Sequence, residues 1–198
     1  MLKAVAKGST QDVLKAAREL EVLAPADEGS RELVAGQWSL VFSTQTDSKL
    51  AGPGAEDDVI NAINAGLYRF FFKFAPFLAG GQDRSATSSV PGVAMSNQQL
   101  VDLERKRVDN RVNVQLGMSG PKLSIRVVGD LLGDDPLDLG VTFTKFLISA
   151  APLPTIELPL PRPLGRLRTT FCDKDMRLSR GGRGGIFVLK KISGSLAI

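Results

Sequence analysis

After residue 92 the sequence is a succession of short alternating apolar and polar runs broken by turn residues, and this pattern limits the fold more than any other feature. Val112, Val114 and Leu116 alternate with Arg111, Asn113 and Gln115. Leu123, Ile125 and Val127 follow Ser119-Gly120-Pro121, and Leu137, Leu139, Val141 and Phe143 follow the Gly133-Asp134-Asp135-Pro136 turn. Ile156, Leu158 and Leu160 precede a proline-rich edge, while Leu167, Thr169 and Phe171 lead into Asp173-Lys174-Asp175. Met176 and Leu178 begin a further run, and 186–192 closes the series. Alternation of period two places successive side chains on opposite faces of a strand. Strands joined by short turns, with no helix between them, predict an antiparallel meander. Closing that meander into a barrel removes the exposed edges it would otherwise carry. Phe143 and Phe146 have opposite parity, as do Phe187 and Val188, so the barrel is expected to be lined as well as clad by apolar side chains. Such a lining permits a cavity for an apolar ligand.

The N-terminal part has a different texture. Ser9-Thr10-Gln11-Asp12 has the Ser-x-x-Asp spacing of a capped helix start, and Val13, Leu14, Ala17, Leu20 and Leu23 or Ala24 recur at helical spacing until Pro25, Asp27 and Gly29. Residues 1–30 are therefore expected to be a helical segment, and 33–192 the barrel. Gly36-Gln37-Trp38-Ser39-Leu40-Val41-Phe42 alternates again and predicts the first strand. A helical insertion over 57–79 is predicted by Val59, Ile63, Leu67, Phe70, Phe71, Phe74 and Leu78 on one stripe. Glu56, Asp57 and Asp58 at its start and Arg69 and Lys73 near its end suit the helix dipole. Five of the ten phenylalanines fall between Phe70 and Phe77. That helix is read as a barrel plug, or as a lid or surface that dips into a lipid monolayer.

Composition removes whole classes of chemistry. The chain has 198 residues, no histidine and one cysteine, Cys172. Ser-His-Asp and Cys-His triads, His-ligated zinc and proximal-His haem all lack a required residue. No nucleophile has an identifiable base partner, so no catalytic residues and no cofactor are expected. Charge is uneven: residues 1–100 carry 9 Lys/Arg against 11 Asp/Glu, and residues 101–198 carry 16 against 10. The stretch from Arg162 to Lys191 holds 9 basic residues against Asp173 and Asp175. Such a flank suits an anionic lipid surface or nucleic acid; the alternative is solvent-facing residues alternating along strands, as the spacing of Arg166, Arg168 and Arg177 suggests. No apolar run approaches the roughly 20 residues of a membrane-spanning helix.

The motifs have architectural readings. Gly36-x-Trp38 after a short helix is similar to the opening of lipocalin-type barrels, where the ring plugs one end and a late-strand arginine covers it; Arg177 and Arg180 are the candidates. Asp173-Lys174-Asp175 reads as a hairpin turn rather than a Mg²⁺ site, and Gly181 to Gly185 as a second turn using positive φ. Arg180-Gly-Gly-Arg-Gly-Gly resembles an RNA-binding box, but one copy between strands argues against nucleic acid.

The stretch from Thr169 to Lys190 carries Thr-Thr-aromatic, Asp-x-Asp, Arg-aliphatic-Ser-Arg-Gly, a Gly turn and Phe-Val. With Leu33-Val34-Ala35-Gly36-Gln37-Trp38 through Thr44, it resembles the plastid lipid-associated protein family, also called plastid fibrillins; residues 45–165 are only generically similar. The resemblance implies a single lipocalin-like domain over 1–198, in plastids, associated with thylakoids or plastoglobules, a presequence being absent from this sequence. It implies non-enzymatic binding, transport or storage of a prenylquinone, carotenoid or acyl lipid, with few polar anchors. The alternative is a ligand-free structural or interaction protein that coats lipid droplets or docks a lipid-biosynthetic enzyme. Expected ligand contacts are Phe42, Leu67, Phe70, Phe71, Phe74, Val141, Phe143 and Phe187, with Arg126, Arg168 and Arg177 as head-group candidates. Gly36, Trp38, Asp173, Asp175, Arg177, Ser179, Arg180 and Gly181 form the structural motif, and no metal is expected.

Overall fold

The computed structural model describes residues 1–7, 9–44, 93–117, 119–160, 162, 164–182 and 185–192. Helices α1 (Leu2–Lys7) and α2 (Thr10–Leu23) precede two short 3-10 turns, Glu28–Ser30 and Glu32–Val34. Nine strands follow: β1 (Gly36–Ser43), β2 (Val93–Asp102), β3 (Arg107–Leu116), β4 (Lys122–Leu132), β5 (Asp138–Ala150), β6 (Ile156–Pro159), β7 (Leu164–Cys172), β8 (Met176–Gly181) and β9 (Ile186–Lys191). The Phe-rich insertion predicted over 57–79 lies outside the described residues.

Ser9 caps α2 as its spacing predicts: its Oγ accepts from the Asp12 amide at 3.3 Å. The chain then turns through Asp27 and Ser30, whose side chains and backbones exchange hydrogen bonds in a capping box. Gly36 enters β1 at φ +114, a conformation that favours glycine, and a Cβ there would stand 2.9 Å from the Lys191 ammonium.

All pairings are antiparallel, in the order β4-β3-β2-β1-β9-β8-β7-β5-β6, and β4 also pairs with β5. The ladder therefore runs through eight strands and returns to its start, with β6 added along the second half of β5. Registers sort the side chains onto two faces. On one, Val34, Trp38, Leu40, Val101, Val108, Leu139, Val141, Cys172 and Leu189 form a buried cluster. On the other, Phe42, Met176, Leu178, Ile186 and Val188 pack against Val5, Val13 and Ala17 of the helices. Burial of Val13 and Ala17 fixes α2 by apolar contact, the valine contributing about 1.5–3 kcal/mol and the alanine methyl about 0.8.

Register irregularities alter two sequence readings. Between Val128 and Gly129 the β4–β5 pairing skips Thr144, so Phe143 stands opposite Gly129 and Phe146 opposite Val127. Phe143 and Phe146 therefore share a face despite their opposite parity. A similar shift between Leu40 and Phe42 sends these residues of equal parity to opposite clusters. Phe187 and Val188 face opposite ways, as the alternation predicted.

Candidate functional site

The Trp38 face changes character along the strands. At the Gly36 end the cluster is close-packed, with Trp38 and Val34 fully buried and Val101, Val108 and Leu139 nearly so. The indole Nε1 donates to the Val34 carbonyl at 2.8 Å, which leaves the buried ring polar-satisfied. Toward the other end, Val114, Leu123, Ile125, Val127 and Ile148 follow the same face by register and are only half-buried.

Between these apolar ends lies a polar belt that period-two reading did not anticipate. Gln99 is paired with Trp38 across β1–β2 and donates to Asn110 Oδ1 at 2.9 Å. Thr169 and Ser179, opposite each other on β7 and β8, are both buried. Arg177 of β8 is 0% exposed and reaches Gln99 Oε1 of β2 through Nη2. Those two strands are separated in the ladder by β9 and β1, so the contact crosses a concave space.

Two cations flank the tryptophan. The Arg177 guanidinium carbon lies 5.0 Å from the ring centroid and the Lys191 ammonium 4.2 Å. Cation–π attraction compensates part of their desolvation. Lys191 Nζ also donates to the Leu33 carbonyl at 2.9 Å and to that of Ala35. Among the described residues Arg177 Nε and Nη1 have no hydrogen-bond partner. Burial pushes the Arg177 guanidinium down to about 10 and lowers the Lys191 ammonium, while it pushes the Cys172 thiol up to about 11.

The predicted site residues separate accordingly. Val141, Phe143 and Phe187 come together on the Trp38 face, and Phe143 lies over the Gly165 backbone. Phe42 packs against the helices on the opposite face. Leu67, Phe70, Phe71 and Phe74 lie outside the described residues. Of the arginines, Arg177 alone occupies the Trp38 face. Arg126 points the other way and pairs with Asp109, whose hydrogen bond raises the guanidinium pKa. Arg168 is exposed opposite Arg180, which is held by Glu21 rather than placed over Trp38. The even solvent-facing spacing read for Arg166, Arg168 and Arg177 thus holds for the first two and fails at Arg177, which is completely buried.

The turn motifs have clear local work. Asp173 Oδ1 accepts from the amides of Asp175 at 2.8 Å and Met176 at 2.7 Å, which closes the β7–β8 turn. Among the described residues no group of three acidic, cysteine or histidine side chains could hold a metal ion. Gly181 donates its amide to the Gly185 carbonyl at 2.8 Å. Positive φ was expected there, yet neither Gly181 nor Gly182 has it; a Cβ on Gly181 would meet the Phe187 ring at 3.0 Å, so close approach explains this glycine.

Gln99, Asn110 and Lys191 were missed by sequence reasoning. Only Lys191 had a signal, its place at the end of the last strand opposite the first.

The sequence model of the PAP_fibrillin family matches residues 2–190. The chain is also 25% identical to a protein of Oryza sativa subsp. japonica named probable plastid-lipid-associated protein 3, chloroplastic, in an alignment covering 91% of the chain and 52% of the rice protein. The chain thus spans about half the length of that curated relative.

Proposed function

Because the chain belongs to the PAP_fibrillin family, we propose that it is a plastid lipid-associated protein whose Trp38 face encloses a lipid, without catalysis. The observation that carries this reading is the gradient on that face: a packed floor at Trp38, then half-buried Ile125, Val127 and Ile148 where apolar surface remains to be covered. The returning ladder and the contact from Arg177 to Gln99 support a lipocalin-like barrel as a single domain, with this face inside. Apolar ligand surface buried there gains about 25 cal/mol per Å². The rice relative's name supports a chloroplast setting, with thylakoid or plastoglobule surfaces as the proposed place of exchange.

A second reading, a ligand-free protein that coats lipid surfaces, is favoured by one observation. Leu153, Ile156 and Leu158 are 69%, 55% and 47% exposed along edge strand β6 and its approach. Among the described residues no helix is long and apolar enough to cross a membrane.

Trp38 is the only tryptophan and serves as the probe. Purified protein titrated with a prenylquinone, a carotenoid or an acyl lipid should show saturable quenching of its fluorescence, with one lipid retained per chain after gel filtration. Ile125→Phe, which adds volume to the half-buried end, should weaken binding and leave the unfolding midpoint nearly unchanged. Failure of all three lipid classes to bind, with flotation on vesicles intact and lost in Ile156→Glu/Leu158→Glu, selects the coating reading.

A further inference from the structure

We propose that the lipid held on the Trp38 face carries a carboxylate head, bound by the free N–H donors of Arg177. The proposal rests on the lipid-binding reading and specifies its ligand.

Among the described residues Arg177 has no carboxylate partner. It spends Nη2 on a neutral amide, Gln99, and leaves Nε and Nη1 without acceptors in a fully buried position. Buried guanidinium groups ordinarily acquire an anion, because an uncompensated cation in a low-dielectric interior is costly. Among the described acids, Asp173 is committed to its turn, while Glu21 and Asp109 pair with Arg180 and Arg126 on the opposite face. The Trp38 ring compensates only part of the charge and is shared with Lys191. Cys172 cannot serve, since burial holds it as a neutral thiol at physiological pH.

The donor count points to the head group. Lys191 spends donors on the Leu33 and Ala35 carbonyls, whereas Arg177 keeps N–H groups unused, and a carboxylate brings them acceptor oxygens together with a negative charge. A hydrocarbon would leave both donors unmet, and a quinone carbonyl would accept from them without supplying the negative charge. Gln99, Asn110, Thr169 and Ser179 supply a neutral polar collar, while half-buried Val114, Ile125 and Val127 continue the face for an acyl chain.

The test compares oleate, methyl oleate and sodium acetate by Trp38 fluorescence at about pH 7.5. Oleate should bind roughly 10- to 100-fold more tightly than methyl oleate, the factor expected for a charge-assisted hydrogen bond. Arg177→Met should abolish that ratio while methyl oleate binding persists, and Arg177→Lys should restore part of it. The wild-type ratio alone decides the matter if Arg177→Met does not fold. Equal binding of acid and ester overturns the head-group assignment and leaves the lipid reading standing. Acetate binding as tightly as oleate overturns the acyl chain's part, and no binding by any of the three overturns both.

Discussion

Truncating Glu21 tests whether a side-chain clamp, beyond apolar contact, fixes α2 to the strands. The Glu21 carboxylate accepts from Arg180 Nε at 2.7 Å and Nη2 at 2.6 Å, and from Thr170 Oγ1 at 2.8 Å. A hydrogen bond to a charged group contributes about 1.5–3 kcal/mol, and an exposed ion pair about 0.2–1. The Glu21 side chain is 16% exposed and that of Arg180 37%, so water replaces part of what is lost. Glu21→Ala should therefore cost about 1–2 kcal/mol in urea denaturation at neutral pH. Glu21→Gln, which keeps the Thr170 contact and one Arg180 contact, should cost about half. The pH dependence supplies an independent check. Arg180 holds the Glu21 carboxyl below its ordinary value of 4.5. The unfolded chain therefore takes up this proton first as pH falls, and the contribution, complete above about 4.5, is lost as pH drops through the folded-state value. The gap between wild type and Glu21→Gln should shrink as pH falls below about 4.5. A coupling below about 0.3 kcal/mol in a double-mutant cycle with Arg180→Met, or a gap independent of pH, refutes the clamp.

Gly129→Ala should destabilise by about 2–3 kcal/mol in thermal unfolding, because the new Cβ would stand 2.6 Å from Val141 Cγ1 and 2.8 Å from the Thr142 carbonyl; an unchanged midpoint counters the tight β4–β5 packing. Cys172 should react slowly with a disulfide reagent at about pH 8 in the folded protein and rapidly in denaturant. Its thiol rises from 9.0 to about 11 on burial, so the folded chain retains the proton longer and stability should decline between those pH values. Cys172→Ala should remove that decline, and fast labelling of the folded protein would contradict the burial.

The meander was legible because most strands alternate an apolar face with a polar one. Strand β2 was not, and the reason is chemical: its Trp38-face residues at 97 and 99 are Asn and Gln, so Val93–Asp102 shows no apolar alternation. The polar belt that hides this strand is also the feature that departs from an interior with few anchors. Parity failed at the register shifts, where the added residue of β5 reverses the expected facing of Phe146 and where Phe42 leaves the face of Leu40. Nothing in a single strand's sequence marks such a shift, since it depends on the partner's register. Helix α2 and the Asp173 turn were legible because both rest on hydrogen bonds within three residues.

The basic excess of residues 162–191 carries a different meaning in the folded chain. Arg166 is neutralised by Asp138 and Arg180 by Glu21, while Arg177 and Lys191 flank Trp38. Besides the ion-paired Arg166, the exposed basic residues of this stretch among those described are Arg162, Arg168, Lys174 and Lys190, so the surface field is weaker than the linear count suggests. Screening at physiological salt reduces that field beyond about 8 Å. Contact with a lipid surface should then depend mainly on the apolar strip at Leu153, Ile156 and Leu158, and only weakly on salt. In the proposed lipid binding the positive charge that would count is the buried one, because a guanidinium removed from water interacts with an anion through a lower dielectric than any surface lysine does.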